Sequence, residues 1–107
     1  MERTVDYVVV GAGSSGCVMA NRLSEDGKKS VLILEAGGKD TNFFIHMPSG
    51  FSQIVPNKSD LNYGFETEPE ETTDNRKLYW PRGRGWGGSS SINAMVYIRG
   101  HAFDYDL

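Results

Sequence analysis

The chain has 107 residues, of which 38% are hydrophobic and 23% charged, so intrinsic disorder and a fibrous repeat are both excluded. Eleven basic against fourteen acidic residues leave a formal charge of −3, which gives no overall pull toward nucleic acid or anionic membrane. One cysteine makes an intrachain disulfide impossible, and the longest apolar runs, about five residues, fall far short of the ~20 needed to span a bilayer. Met1-Glu2-Arg3-Thr4 leads straight into a strand-like run with no apolar leader core. The expectation is a soluble globular protein of the cytoplasm, free or peripheral to a membrane.

Tyr7-Val8-Val9-Val10 is β-branched and aromatic without polar alternation, the pattern of a strand covered on both faces. Gly11-Ala12-Gly13-Ser14-Ser15-Gly16 follows directly. Gly16, Met19, Ala20 and Leu23 then recur at helical spacing, and Asp26-Gly27 supplies a stop, with Gly27 suited to a left-handed cap. Ser30-Val31-Leu32-Ile33-Leu34-Glu35 reads as a second buried strand ending in a carboxylate. Strand, helix and strand in this span make a βαβ unit with a right-handed crossover.

From Ala36 to Gly64 the pattern weakens. Pro48 and Pro56 bracket a short helix around Phe51, Ile54 and Val55. Tyr63–Thr67 and Lys77–Trp80 alternate, and the acidic stretch between them reads as an exposed hairpin connection. Ser89–Met95 is predicted as a short helix opened by a second glycine cluster, Gly83, Gly85, Gly87 and Gly88. A further helix is predicted to begin at Phe103-Asp104-Tyr105-Asp106-Leu107, where the chain stops without a cap, as a piece of a longer protein would.

Gly11-x-Gly13-x-x-Gly16 alone is a weak signal. Its context is stronger, because it follows a strand, opens a helix and precedes Glu35 by nineteen residues, counted from Gly16. Gly11 permits the tight turn, Gly13 lets the backbone approach a pyrophosphate, and Gly16 lets helix and strand pack closely. The helix N-terminus then faces the phosphates, and Glu35 is suited to accept two hydrogen bonds from a ribose diol. These features do not separate a nicotinamide from a flavin dinucleotide.

Gly83-Arg84-Gly85-Trp86-Gly87-Gly88-Ser89-Ser90-Ser91-Ile92-Asn93 is a second backbone-rich segment, suited to lying along an anionic or planar ligand. Continued through Ala94-Met95-Val96-Tyr97-Ile98-Arg99-Gly100, it resembles the signature of the glucose–methanol–choline (GMC) oxidoreductases. Glu35-Ala36-Gly37-Gly38, Thr67-Glu68-Pro69 and Tyr79-Trp80-Pro81-Arg82-Gly83 fit the same family in order and spacing, closest to its choline dehydrogenase-like alcohol dehydrogenases. The resemblance implies an α/β fold: a Rossmann-like βαβ unit (1–36), a loop and hairpin region (37–82) with a short helix, and a flavin-contacting segment (83–107). Together these form the N-terminal part of a GMC-type FAD-binding domain, with substrate domain and catalytic segment absent.

The resemblance further implies oxidation of a primary alcohol to an aldehyde by hydride transfer to FAD, with oxygen or a quinone as electron acceptor. Gly11, Gly13, Ser14, Ser15 and Gly16 would hold the pyrophosphate, and Glu35 and Ala36 the adenosine end. Gly87, Ser89, Asn93, Ala94 and Val96 match flavin-side positions. Some members tether FAD through a histidine immediately before the asparagine; here that residue is Ile92, so non-covalent FAD is expected. The family's catalytic histidine and its partner lie far downstream, and neither His46 nor His101 matches them, so this chain alone should be inactive.

Other readings are weaker. A NAD-dependent Rossmann reductase leaves residues 83–100 unexplained. An RNA-binding arginine–glycine segment calls for a longer, repetitive, basic tract than Arg82–Gly88 in an acidic chain. Cys17 is expected as a small buried packing residue rather than a reactive thiolate. The acidic run Glu66, Glu68, Glu70, Glu71 and Asp74 lacks histidine partners and reads as a solvated hairpin face, not a metal site.

Overall fold

The computed structural model describes residues 3–106. Strand β1 (Tyr7–Val10), helix α1 (Ser14–Ser24) and strand β2 (Val31–Leu34) form the βαβ unit. The strands pair in parallel, with Tyr7 opposite Val31 and Val10 opposite Leu34. Asp6 fastens the open end, because its carboxylate accepts from the Ser30 backbone N–H and hydroxyl, each at 2.8 Å, and from Lys29 at 3.3 Å. Those bonds, the Ser30 backbone N–H foremost, lower the Asp6 carboxyl to about 2. At the other end of α1, Gly27 takes φ +67°, the left-handed conformation expected of a helix stop.

The middle region is built from short pieces. Helix α2 (Phe43–His46) is capped by Asn42, whose side chain accepts from the Phe44 N–H at 2.9 Å. Pro48–Gly50 forms a 3₁₀ turn that runs into α3 (Phe51–Ile54), within the span that Pro48 and Pro56 mark in the sequence. Strands β3 (Phe65–Glu66) and β4 (Tyr79–Trp80) pair antiparallel, with Phe65 opposite Trp80. Their connection carries a 3₁₀ turn at Glu71–Thr73 and left-handed residues at Asp74 and Asn75, and its acidic side chains are exposed.

Asn62 organises this region. It is completely buried, and the two hydrogens of its amide nitrogen are shared among the carbonyls of Val55 and Asn57, each at 3.0 Å, and the Tyr79 hydroxyl at 2.9 Å. Its amide oxygen accepts from the N–H groups of Gly64 and Arg82, each at 3.0 Å. A buried amide stripped of such partners costs about 1–3 kcal/mol for each orphaned group, so the bonds fix the local chain path.

Two predicted helices are not formed among the described residues. Over Ser89–Met95 the chain makes only a 3₁₀ turn at Gly88–Ser91, and Met95 adopts φ +54°. The serines are the cause: Ser90 Oγ bonds to the Gly87 carbonyl and Ser91 Oγ to that of Trp86, offering the backbone an alternative to the helix. Asn93 completes the turn by accepting from the Met95 N–H. Near the end, Ala102–Asp104 is a 3₁₀ turn closed by a reciprocal cap between His101 and Asp104; Leu107 lies outside the described residues.

The core is thin. Ala12, Ala20, Ile54 and Ile92 are its buried apolar residues among those described. The sheet predicted to be covered on both faces is open: Val8 is 55% and Val10 84% exposed, and Ile33 and Leu34 are exposed as well. Val9 and Leu32 are half-buried. The radius of gyration, 17.5 Å, exceeds the roughly 13 Å of a compact domain this long. Covering each open strand residue would contribute roughly 1.5–3 kcal/mol.

Candidate cofactor site

The two glycine-rich segments, more than sixty residues apart in sequence, meet. Gly13 and Gly87 form an isolated parallel bridge, and the Gly87 N–H donates to the Ala12 carbonyl at 2.8 Å. The Trp86 N–H donates to Gly38 at 3.0 Å, so the loop after β2 joins the same cluster. Close approach is possible because the residues are glycines: a Cβ on Gly88 would sit 3.0 Å from Gly13 Cα.

The start of α1 is shaped for an anion. Its N-cap is Gly13, no side chain caps it, and its first turn carries no acidic residue. The N–H groups of Ser14, Ser15 and Gly16 therefore have no intrahelical acceptor, and the helix dipole adds partial positive charge. A Cβ on Gly13 would meet nothing within 4 Å, so the space beside the turn is open. At Gly16 the reverse holds, since a Cβ would lie 2.0 Å from the Gly11 carbonyl oxygen. One glycine faces free space and the other is locked against the turn, which fits a pyrophosphate cradle.

Glu35 has a role that the sequence did not reveal. Its Oε2 accepts from the Ala12 N–H at 2.7 Å, and its Oε1 accepts from Gly37 at 2.8 Å and Gly85 at 3.1 Å. One half-buried carboxylate thus ties the first glycine turn, the loop after β2 and the second glycine segment together. The Ala12 and Gly37 bonds hold its pKa below the ordinary value of 4.5, against the opposing effect of burial. Three of the roughly four lone-pair positions of a carboxylate are taken, leaving one on Oε2 rather than the pair that a ribose diol would engage. Beside it, Ala12, Cys17, Ile33, Glu35 and Trp86 line a cavity of about 320 Å³. Cys17 is exposed there, not buried as expected, with its thiol directed to the Ala12 carbonyl at 3.3 Å. It falls on the face of α1 that turns toward the open cavity, which leaves it nothing to pack beneath.

A second cavity, of about 380 Å³, brings Ser89, Asn93 and Ala94 together with Phe51, Val55, Pro81 and Arg82. Ser89 Oγ accepts from the Gly83 N–H at 3.0 Å, and Asn93 Nδ2 donates to the Ser90 carbonyl at 2.9 Å. Most of the hydroxyls and amides of this segment are therefore spent on folding the loop itself. Ile92 is buried against it. Ala36 is exposed beside Glu35, and Val96, 78% exposed, follows the cavity residue Ala94 without lining either cavity. Neither histidine faces either cavity: His46 Nε2 is hydrogen-bonded to the Asp40 carbonyl, and His101 Nδ1 accepts from the Phe103 N–H. Among the described residues no group of three potential metal ligands occurs.

Residues 5–107 match the family model described as GMC oxidoreductase, and the chain belongs to that family. It is the N-terminal, FAD-binding part of the fold, with an α/β architecture. It is 59% identical over 100 residues to an alcohol dehydrogenase [acceptor] of Pseudomonas putida, covering 94% of this chain and 18% of that protein. It is 56% identical over 106 residues to an oxygen-dependent choline dehydrogenase of Photobacterium profundum, covering 99% of this chain and 18% of that one. Among solved structures, pyridoxine 4-oxidase superposes with a TM-score of 0.81 at 39% identity, over 95% of this chain and 20% of the other. The chain thus spans about a fifth of the length of these relatives.

Proposed function

We propose that this chain is the FAD-binding portion of a flavin-dependent oxidoreductase that oxidises a primary alcohol, choline or a similar one, to its aldehyde. The observation that carries the reading is the union of the two glycine-rich segments through Gly13, Gly87 and Glu35. It sets an uncapped helix start beside a backbone-lined loop, and the apolar cavity at Ser89–Ala94 continues from that loop. When bound, FAD would supply the acceptor for the hydride that leaves the alcohol carbon.

The residues of this chain bind and orient. Gly11, Gly13, Ser14, Ser15 and Gly16 hold the pyrophosphate with backbone N–H groups and hydroxyls. Glu35, with Ala36, fixes the adenosine end, offering its one remaining Oε2 position to a ribose hydroxyl. Gly87, Ser89, Asn93, Ala94 and Val96 serve the flavin side. With Ile92 standing before Asn93, no side chain there forms a covalent link, and FAD is held non-covalently. Electrons leave to oxygen or a quinone, and the protein works in the cytoplasm or at a membrane's periphery. No helix among the described residues is long and apolar enough to cross a membrane.

A NAD-dependent reductase would have no use for the second segment and its cavity. The RNA-binding reading fares worse, because the arginines are engaged in a folded segment. Arg82 lies over the Trp80 ring at 4.9 Å, and Arg84 over Tyr63 at 5.8 Å and near Asp60 at 3.8 Å. Alcohol oxidation also needs a group to take the hydroxyl proton, and a positioned base typically contributes about 10²–10⁴-fold. Neither His46 nor His101 matches the position from which the family supplies that base. Residues 1–107 with excess FAD and a dye acceptor should therefore show no turnover on an alcohol panel including choline, while the full-length protein turns over. Turnover by 1–107 above the free-flavin background would refute the reading that the base lies elsewhere.

A further inference from the structure

Asn62 lies outside every motif that the proposed function uses, yet it joins both walls of the cavity at Ser89–Ala94. One wall is Phe51 and Val55, in and just after α3; the other is Pro81 and Arg82. The Asn62 amide nitrogen donates to Val55 O and Asn57 O on the first side, and its oxygen accepts from the Arg82 N–H on the second. The Tyr79 hydroxyl strengthens the link by accepting from Asn62 and donating to Val55 O at 2.9 Å. The backbone reinforces the second side alone: the Tyr63 N–H donates to Arg82 O at 2.9 Å and the Arg84 N–H to Leu61 O at 2.8 Å, which pairs Asn62 with Gly83. Gly83, the next residue after Arg82, donates to Ser89 Oγ, so the Arg82 end of the link is joined through one peptide unit to the Ser89 side of the cavity.

We propose that Asn62 is a positioning residue for the ring end of the cofactor: by joining the α3 wall to the Pro81–Arg82 wall, it sets the width of the cavity that receives the flavin. The proposal rests on the reading that Ser89–Ala94 faces FAD. It assigns to Asn62 no contact with the cofactor, and none with the glycine turn that holds the phosphates. Its effect therefore falls on one end of FAD and spares the other, a distinction that a residue supporting the fold in general would not make.

The test compares FAD with ADP, which carries the pyrophosphate end but no flavin, on the full-length protein stripped of cofactor. Asn62→Asp keeps an acceptor for Gly64 and Arg82 but turns the donor edge into an oxygen facing the Val55 and Asn57 carbonyls, releasing the α3 wall. FAD affinity should fall about tenfold, the size of one or two net hydrogen bonds, with ADP affinity unchanged. The fluorescence of the flavin that remains bound should rise as its ring loses confinement. Tyr79→Phe, a milder change in a partly exposed side chain, should move FAD affinity in the same direction by about threefold. Equal losses for FAD and ADP would overturn the proposal, as would no loss for either. If Asn62→Asp does not fold, the same FAD-to-ADP comparison in Tyr79→Phe decides. A wild-type protein that takes up ADP but no FAD would overturn the cofactor reading itself and this proposal with it, a result distinct from either variant outcome.

Discussion

Replacing Glu35 probes the point where three separate stretches of chain converge. Glu35→Ala removes the acceptor for the N–H groups of Ala12, Gly37 and Gly85 at once. Fully buried bonds to a charged acceptor contribute about 1.5–3 kcal/mol each, but this carboxylate is half-buried and water replaces part of the loss. About 1 kcal/mol per bond gives a total of about 3 kcal/mol, or roughly a hundredfold in a binding constant that needs the three stretches assembled. Glu35→Gln should lose about half as much, because the amide oxygen serves one or two of the donors while its NH₂ faces another. The assay is FAD titration of the stripped full-length protein, with thermal unfolding measured at saturating FAD. Flavin-depleted Glu35→Ala that excess FAD partly restores is the expected outcome. Wild-type flavin content and melting temperature in that variant would refute the clamp. The pH dependence has a definite sign: a lowered carboxyl stabilises the folded state fully above about 4.5, and that contribution is lost as pH falls through the lowered value.

The glycines of the first turn should separate folding from binding. Gly16→Val places a branched side chain against the Gly11 carbonyl and should abolish folding, read by circular dichroism. Gly13→Val meets open space and should fold, yet lose FAD; normal flavin content there would contradict the pyrophosphate assignment. Cys17→Ser should leave flavin content and turnover nearly unchanged, and loss of turnover at normal flavin content would reveal a role for the thiol. Asp6→Asn should weaken the protein above pH 4 and become indistinguishable from wild type as pH falls through about 2, where the native carboxyl protonates. Acid-unfolding curves that differ most at the lowest pH would contradict that assignment.

What was legible in the sequence follows from how local each signal is. The Tyr7–Val10 run, the spacing from Gly16 to Leu23 and the Asp26-Gly27 stop report structure set within a few residues, and β1, α1 and β2 lie where they predict. The four-residue α2 carries too short a pattern to announce itself, and only Asn42 as a cap preceding Phe43-Phe44 signals it. Ser89–Met95 misleads because the glycine cluster before it looks like a helix opening, whereas serine hydroxyls bond back to the chain instead. The three bonds of Glu35 depend on residues 12, 37 and 85, whose meeting is a tertiary fact. Asn62 is the harder case, since an asparagine in a polar, proline-bounded stretch resembles any loop residue. Its complete burial was the signal, and burial is not written in its neighbours.

Whether the joined glycine segments hold FAD without a covalent bond is read most directly from the cofactor of the purified full-length protein. Its absorbance should show flavin bands at roughly 375 and 450 nm, set by isoalloxazine chemistry, and the bands should bleach when an oxidisable alcohol is added without oxygen. Heat or acid precipitation should leave all the yellow colour in the supernatant. A nicotinamide signal, no cofactor at all, or colour that stays with the precipitated protein would contradict non-covalent FAD binding.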